Sequence, residues 1–206
     1  MTEQRTITSF FEDGFHFSCK QCGDCCRGFN SGEVYLYEDD IQRLVTYLNQ
    51  DGRKYSLKSF CRKYVKLIGT TFYWKPKDSK RGKNYSFKTL GFRFSGKDQH
   101  CQFLGDDNNC SVHEARPFQC RSFPIGWNML VGNIRNVRKY SRKCPGLRNS
   151  LERKGRFHST EELIEWTTKE YNIEKEFFLR MKENGFDIFK VYSFLPKSLL
   201  KIGYYY

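Results

Sequence analysis

The chain has 206 residues, 38% of them hydrophobic and 17% aromatic, which is enough apolar material for a globular core and excludes wholesale disorder. No stretch approaches the roughly 20 consecutive apolar residues that span a bilayer, and Met1 to Phe17 lacks the basic start and apolar run of a secretory signal, so a cytoplasmic protein without a membrane segment is expected. The net charge of +13 is concentrated: residues 61–158 hold 22 Lys/Arg against 6 Asp/Glu, while the flanks together are slightly acidic. Such a basic middle suits nucleic acid, an acidic protein partner or an anionic cofactor. The plainer reading is a solvated surface, partly offset by thiolates.

Taken in chain order, a cysteine-rich turn at 19–26 comes first, followed by loop from Arg27 and a short strand at Val34-Tyr35-Leu36. Glu38, Asp39 and Asp40 place acids in a first helical turn, and Ile41, Leu44, Val45 and Leu48 follow at helical spacing, with a stop at Asn49 to Gly52. A second helix is predicted from Ser56, its stripe formed by Leu57, Phe60, Cys61, Tyr64, Val65 and Ile68. Cys61 lies in that stripe, far from the other cysteines, as a buried structural thiol. Thr70 to Trp74 and Tyr85 to Phe94 read as strands around a charged, turn-rich loop. Their interleaved aromatic and basic residues fit sheet faces with polar exteriors, or base stacking on a positive surface.

Further on, Trp127 to Tyr140 is predicted as a hairpin turning at Gly132-Asn133. Ser159-Thr160-Glu161-Glu162 opens a helix with a capping-box pattern, a second helical stretch covers Ile173 to Lys182, and the tail from Lys197 is expected to fray. The fold class is therefore α+β: a small irregular cysteine-cluster domain over 1–150 with short strands and flanking helices, and a helical C-terminal lobe over 151–206 packed on it.

Eight of the nine cysteines form a pattern: Cys19, Cys22, Cys25 and Cys26, then Cys101, Cys110 and Cys120, then Cys144. An odd total forbids complete internal pairing, and clustered thiols in a reducing compartment bind metal or do catalysis more often than they form disulfides. Two intervening residues let both thiolates of a Cys-x2-Cys turn reach one metal at about 2.3 Å. Three cysteines at intervals of three resemble the run that wraps a [4Fe–4S] cluster, whereas zinc sites more often use two separated pairs. Iron–sulfur is favoured over zinc, and a redox dithiol is a third reading. Adjacent Cys25 and Cys26 diverge, so either two metal sites exist or one of the pair has another task.

The Cys19-x2-Cys22-x2-Cys25-Cys26 block, Cys101-Gln102-Phe103-Leu104, and the run from Cys110 through His113, Arg116-Pro117 and Cys120-Arg121-Ser122-Phe123-Pro124 together resemble the YkgJ-type cysteine-cluster proteins of bacteria. The resemblance covers about 17–147. It implies a zinc- or iron-chelating cytoplasmic domain whose ligands map onto Cys19, Cys22, Cys25, Cys26, Cys101, Cys110, Cys120 and Cys144. His113 stands where that family commonly has Tyr, and reads as a turn-side histidine more than a ligand. Arg116 and Arg121 bracket Cys120, where a guanidinium offsets thiolate charge and donates to sulfur. Flagellin lysine methylases carry a similar block, so cluster-dependent protein methyl transfer is one alternative function, and a zinc module binding nucleic acid is another. No Gly-rich nucleotide loop, HExxH or GxSxG motif identifies a reaction, and whether the chain is an enzyme stays open.

Overall fold

Acidic residues at the head of an apolar stripe set the first α-helix. In a computed structural model that describes residues 11–27, 33–95, 99–126 and 134–201, helix α1 spans Glu38–Gln50. The Tyr37 amide donates to Asp40 Oδ2 at 3.2 Å and Arg43 pairs with Asp40 Oδ1 at 2.6 Å, so the buried carboxylate is satisfied twice. Ile41, Leu44, Val45 and Leu48 are all buried, as the spacing predicts.

Helix α2 covers Leu57–Tyr64 and starts on a reciprocal pair: the Ser59 amide donates to Ser56 Oγ, and the Ser56 amide to Ser59 Oγ. It stops earlier than its stripe suggests. Val65 turns extended and opens strand β3, Val65–Trp74, because Val65, Ile68, Thr70 and Thr71 are stiff at χ1 and pair better than they coil. The partner is β4, Lys83–Phe92, antiparallel and in unbroken register from Val65↔Phe92 to Trp74↔Lys83. Tyr35–Leu36, introduced as β2, adds to β4 and gives a three-stranded sheet in the order β2-β4-β3.

The chain divides into two compact units that interleave in sequence: the first takes in the chain up to 32 with 94–113 and 118–173, and the second 33–93, 114–117 and 174 onward. The second unit is the sheet with its helices. Phe178 stacks on Phe72 at 4.8 Å and meets Tyr85 edge-on at 5.2 Å, while Phe177 stacks on Tyr192 at 5.6 Å. Arg180 reaches Glu38 at 3.1 Å. The expected fraying from Lys197 is corrected over 197–201, a 3-10 turn whose Leu199 is buried, because Leu195 and Leu199 supply an apolar anchor. Residues 202–206 lie outside the described residues.

The first unit is built on short elements. Strand β1 (Phe15–Phe17) pairs antiparallel with β7 (Arg156–His158), and β5 (Phe94–Ser95) with β6 (His100–Cys101). Helices α3 (Phe118–Ser122), α4 (Ile134–Ser141) and α5 (Pro145–Leu151) follow in the chain. The predicted hairpin is corrected: 134–141 is helical, with Val137 buried, and 127–133 lie outside the described residues. The core joins Phe11, Phe15, Phe17, Ile125, Val137, Leu147 and Leu163. Helix α6 runs unbroken over Thr160–Glu183, where the sequence suggests two stretches, since neither Gly nor Pro interrupts it; a four-residue helix α7, Ile188–Val191, follows. The fold is mixed α+β.

Cys61 sits on α2 with no exposed surface, and burial pushes its thiol up to about 12. The unfolded chain then releases this proton near pH 9 while the folded chain keeps it, so stability is full below pH 9 and is lost as pH rises toward 12. At pH 10.5 this amounts to about 2 kcal/mol, and Cys61→Ala should show a correspondingly shallower decline in urea unfolding between pH 8 and 10.5 than the parent chain. Parallel pH profiles for the two would refute the assignment.

Candidate metal centre

Eight of the nine cysteines fall in the first unit, and the exception is Cys61. Their arrangement starts at the corner where β1 ends. The Arg156 amide donates to Ser18 Oγ at 2.9 Å. His158 lies with Nδ1 2.9 Å from Glu162 Oε1 and Nε2 3.3 Å from the Phe17 carbonyl oxygen. Two glycines let other backbone approach this corner. A Cβ on Gly146 would stand 2.7 Å from the Ser18 carbonyl oxygen, and one on Gly155, which adopts φ +118°, 2.9 Å from the Ser18 nitrogen. Helix α5 therefore begins against Ser18, and its N-cap residue, Cys144, is delivered to the neighbourhood of Cys19.

From Ser18 the chain turns twice through left-handed backbone, at Gln21 (φ +50°) and Gly23 (φ +73°). The first turn aims the Gln21 amide at Cys19 Sγ, 3.4 Å away. The second closes through the Cys26 amide, which donates to the Gly23 carbonyl at 2.9 Å, and leads into a 3-10 turn, Asp24–Arg27, that carries both Cys25 and Cys26. Arg27 then donates to Asn108 Oδ1 at 2.5 Å, tying this turn to the loop over 104–110. That loop is pinned by Gly105 N to Asn109 O at 2.8 Å, by Asn109 N to Asp107 Oδ1 at 3.0 Å, and by a Leu104↔Cys110 bridge. Its ends bring Cys110 toward Cys101 on β6, which itself packs on the 24–27 turn.

The thiols sense one another. Burial raises Cys101 to about 11, opposed by the Phe103 amide and reinforced by Cys110 and Cys25. Burial also raises Cys144; the amides of Leu147 and Gly146 favour its thiolate, and Cys25 and Cys19 oppose it. Cys22 is raised by burial first, with the Asp24 amide pulling down and the Asp24 carboxylate and Cys144 pushing up. Six thiols, those of Cys19, Cys22, Cys25, Cys101, Cys110 and Cys144, thus lie within electrostatic reach of at least one other. Cys26 shares the turn of Cys25, and Cys120 stands on α3 of the same unit. Arg121 follows Cys120 on α3, its guanidinium 5.8 Å from the Phe118 ring centre, whereas Arg116 belongs to the second unit. His113 is half-buried in a 3-10 turn, its amide bonded to the Cys110 carbonyl at 3.1 Å.

Among the described residues, no three His, Cys, Asp or Glu side chains converge into a ready-made metal position. The donor set nevertheless suits a soft cation or cluster: many cysteine sulfurs in one unit, peptide amides aimed at sulfur, and Cys19 and Cys25 exposed on the 19–26 turn. Sequence reasoning found the cysteines but missed Ser18, Gly146, Gly155, His158 and Glu162, which fix the corner. The Cys144-Pro145-Gly146 triplet was the one signal pointing to them.

Residues 18–145 match a family named CxxCxxCC and described as a "putative zinc- or iron-chelating domain". The match spans more than half of the chain, and the chain belongs to this family. No solved structure matches it.

Because a side chain at Gly146 must push Ser18 and α5 apart, Gly146→Val should cost about 1–3 kcal/mol in urea unfolding and lower the metal content of the purified chain. Unchanged stability and metal content would show that this contact does not position Cys144.

Proposed function

We propose that the first unit is a thiolate metal centre whose occupant is an iron–sulfur cluster or zinc, the Cys19-x2-Cys22-x2-Cys25 run favouring the cluster. The observation that carries this reading is the mutual electrostatic reach of six thiols gathered from three separate segments of one unit. Cys19, Cys22, Cys25 and Cys144 form a set linked through Cys144, Cys101 and Cys110 adjoin it through Cys25, and Cys26 and Cys120 complete the eight ligands. Arg121, next to Cys120 on α3, offsets part of the accumulated negative charge there. Bound there, a cluster supplies one-electron chemistry and zinc supplies a structural crosslink.

The protein's own contribution is to hold thiols in waiting. Burial keeps Cys22, Cys101 and Cys144 protonated around neutral pH in the metal-free chain, so a cation must displace those protons. Metal uptake should therefore release close to one proton per engaged thiol, read with an indicator dye in weak buffer. Affinity should fall as pH drops, since protons then compete more strongly. Affinity independent of pH between 6 and 8.5 would speak against thiolate ligands.

Anaerobic purification with an absorption spectrum and analysis for iron, zinc and acid-labile sulfide tests the occupant. A broad visible absorption bleached by dithionite, with iron and sulfide in equal amounts, identifies a cluster; a colourless chain with stoichiometric zinc identifies the other occupant. Cys22→Ser and Cys144→Ser should each lose most of the metal while Cys61→Ser keeps it. Full metal content in both ligand variants would overturn the ligand set.

A further inference from the structure

The β3–β4 hairpin of the second unit ends in a tip of one charge sign. Lys75, Lys77, Lys80, Arg81 and Lys83 stand there against Asp78 alone, and all five cations are exposed. None of the five takes part in an ion pair among the described residues. Solvated surfaces ordinarily intersperse both signs, so five unneutralised cations in nine residues carry a repulsion that an anionic partner would relieve. The tip is also ordered: the Ser79 amide donates to the Pro76 carbonyl at 3.1 Å, and Ser79 Oγ donates to the Arg81 carbonyl at 2.6 Å. Ten consecutive cross-strand pairs hold it in place.

The aromatic residue beside this tip faces outward. Tyr73 is 59% exposed, on the sheet face opposite Phe72, which is buried among the aromatic side chains of the second unit. Its neighbours on that face are small and polar: Thr71 and Ser86, hydroxyls 3.2 Å apart, and Gly69, above which space is open. Gly82 provides a seat, since a Cβ there would come within 2.5 Å of the Tyr73 ring. One part of the ring is thus held against the backbone while the rest meets solvent.

An exposed ring, seated on Gly82 beside a run of cations that form no ion pair among the described residues, suits a flexible polyanion with flat bases, the cations meeting phosphates and the ring a base. We propose that the β3–β4 hairpin binds single-stranded nucleic acid, with Tyr73 as the stacking platform for a base and Lys75, Lys77, Lys80 and Arg81 as phosphate contacts; Lys83 lies over the Tyr85 ring on the other face, 4.7 Å from its centre. The proposal rests on the second unit and is independent of what the thiols hold.

The test is fluorescence anisotropy of the full chain with a labelled oligouridylate of about twelve nucleotides across a salt series, a length within known site sizes. Four phosphate contacts should give a log–log salt slope of about −3. Tyr73→Ala should weaken binding about tenfold while Tyr73→Phe retains it, and the double variant Lys77→Glu, Arg81→Glu should weaken binding and flatten the slope, all with unchanged metal content and circular dichroism. Absence of binding at low salt would overturn the proposal. So would full binding by Tyr73→Ala together with equal displacement by polyglutamate, which would reassign the tip to an acidic protein partner.

Discussion

Each thiolate added to one small unit raises the cost of the next, because like charges in a partly desolvated setting repel. The first unit meets this constraint at Cys22, Cys101 and Cys144, whose thiols burial holds protonated. Burial and neighbouring sulfurs push Cys22, Cys101 and Cys144 up, while the amides of Asp24, Phe103, Gly146 and Leu147 sit ready to stabilise the charged form. The two influences oppose each other in the metal-free chain, and the positive charge of a bound cation would offset the first while the amides support the thiolates. A centre of this kind is poised rather than preformed, which agrees with the lack, among the described residues, of three converged donors.

The poise depends on backbone contacts with no chemistry of their own. Ser18 is approached by α5 at Gly146 and by the 155–156 segment through Gly155 and the Arg156 amide, so two segments more than a hundred residues away in sequence meet at one residue. Close approach needs glycine because a Cβ occupies the space the other chain requires. The Phe15 and Phe17 side chains and the buried Leu147 and Leu163 hold the corner from beneath. The cysteine turn that follows leaves Cys19 and Cys25 exposed.

What the sequence made readable follows the range of the interactions involved. Helix α1, the start of α2 and the β3–β4 pair rest on local periodicity, capping and β-branched runs, and they appear where those signals stand. The end of α2 was misjudged because Val65 and Ile68 satisfy both a helical stripe and a strand, and only pairing with Phe92 and Thr89 decides. Tyr140 closes a helix rather than a hairpin because Val137 is drawn into a core assembled from 11–17, 144–147 and 163, which periodicity within 127–140 cannot reveal. The cysteines were readable as a set by residue type and spacing alone. Their supports were not, since Gly146 and Gly155 matter only through Ser18, more than a hundred residues away, and His158 through Phe17.

Adjacent Cys25 and Cys26 show how local geometry bears on the number of metal sites. A 3-10 turn has three residues per turn, so consecutive side chains on Asp24–Arg27 point about 120° apart. Two neighbours so divided serve one compact site poorly. Cys25 is also the thiol felt by both Cys101 and Cys144. On the proposed ligand set, Cys25 therefore stands between a group formed with Cys19, Cys22 and Cys144 and a group formed with Cys101 and Cys110. A single ion with four ligands would use only part of this collection and leave buried thiols idle. A polynuclear occupant, or two metals sharing the turn as a common wall, uses both directions that the 3-10 geometry imposes. The doubled cysteine then has a physical reason: one turn, rigidly tied to the 104–110 loop through Arg27 and Asn108, presents sulfur to two sides at once.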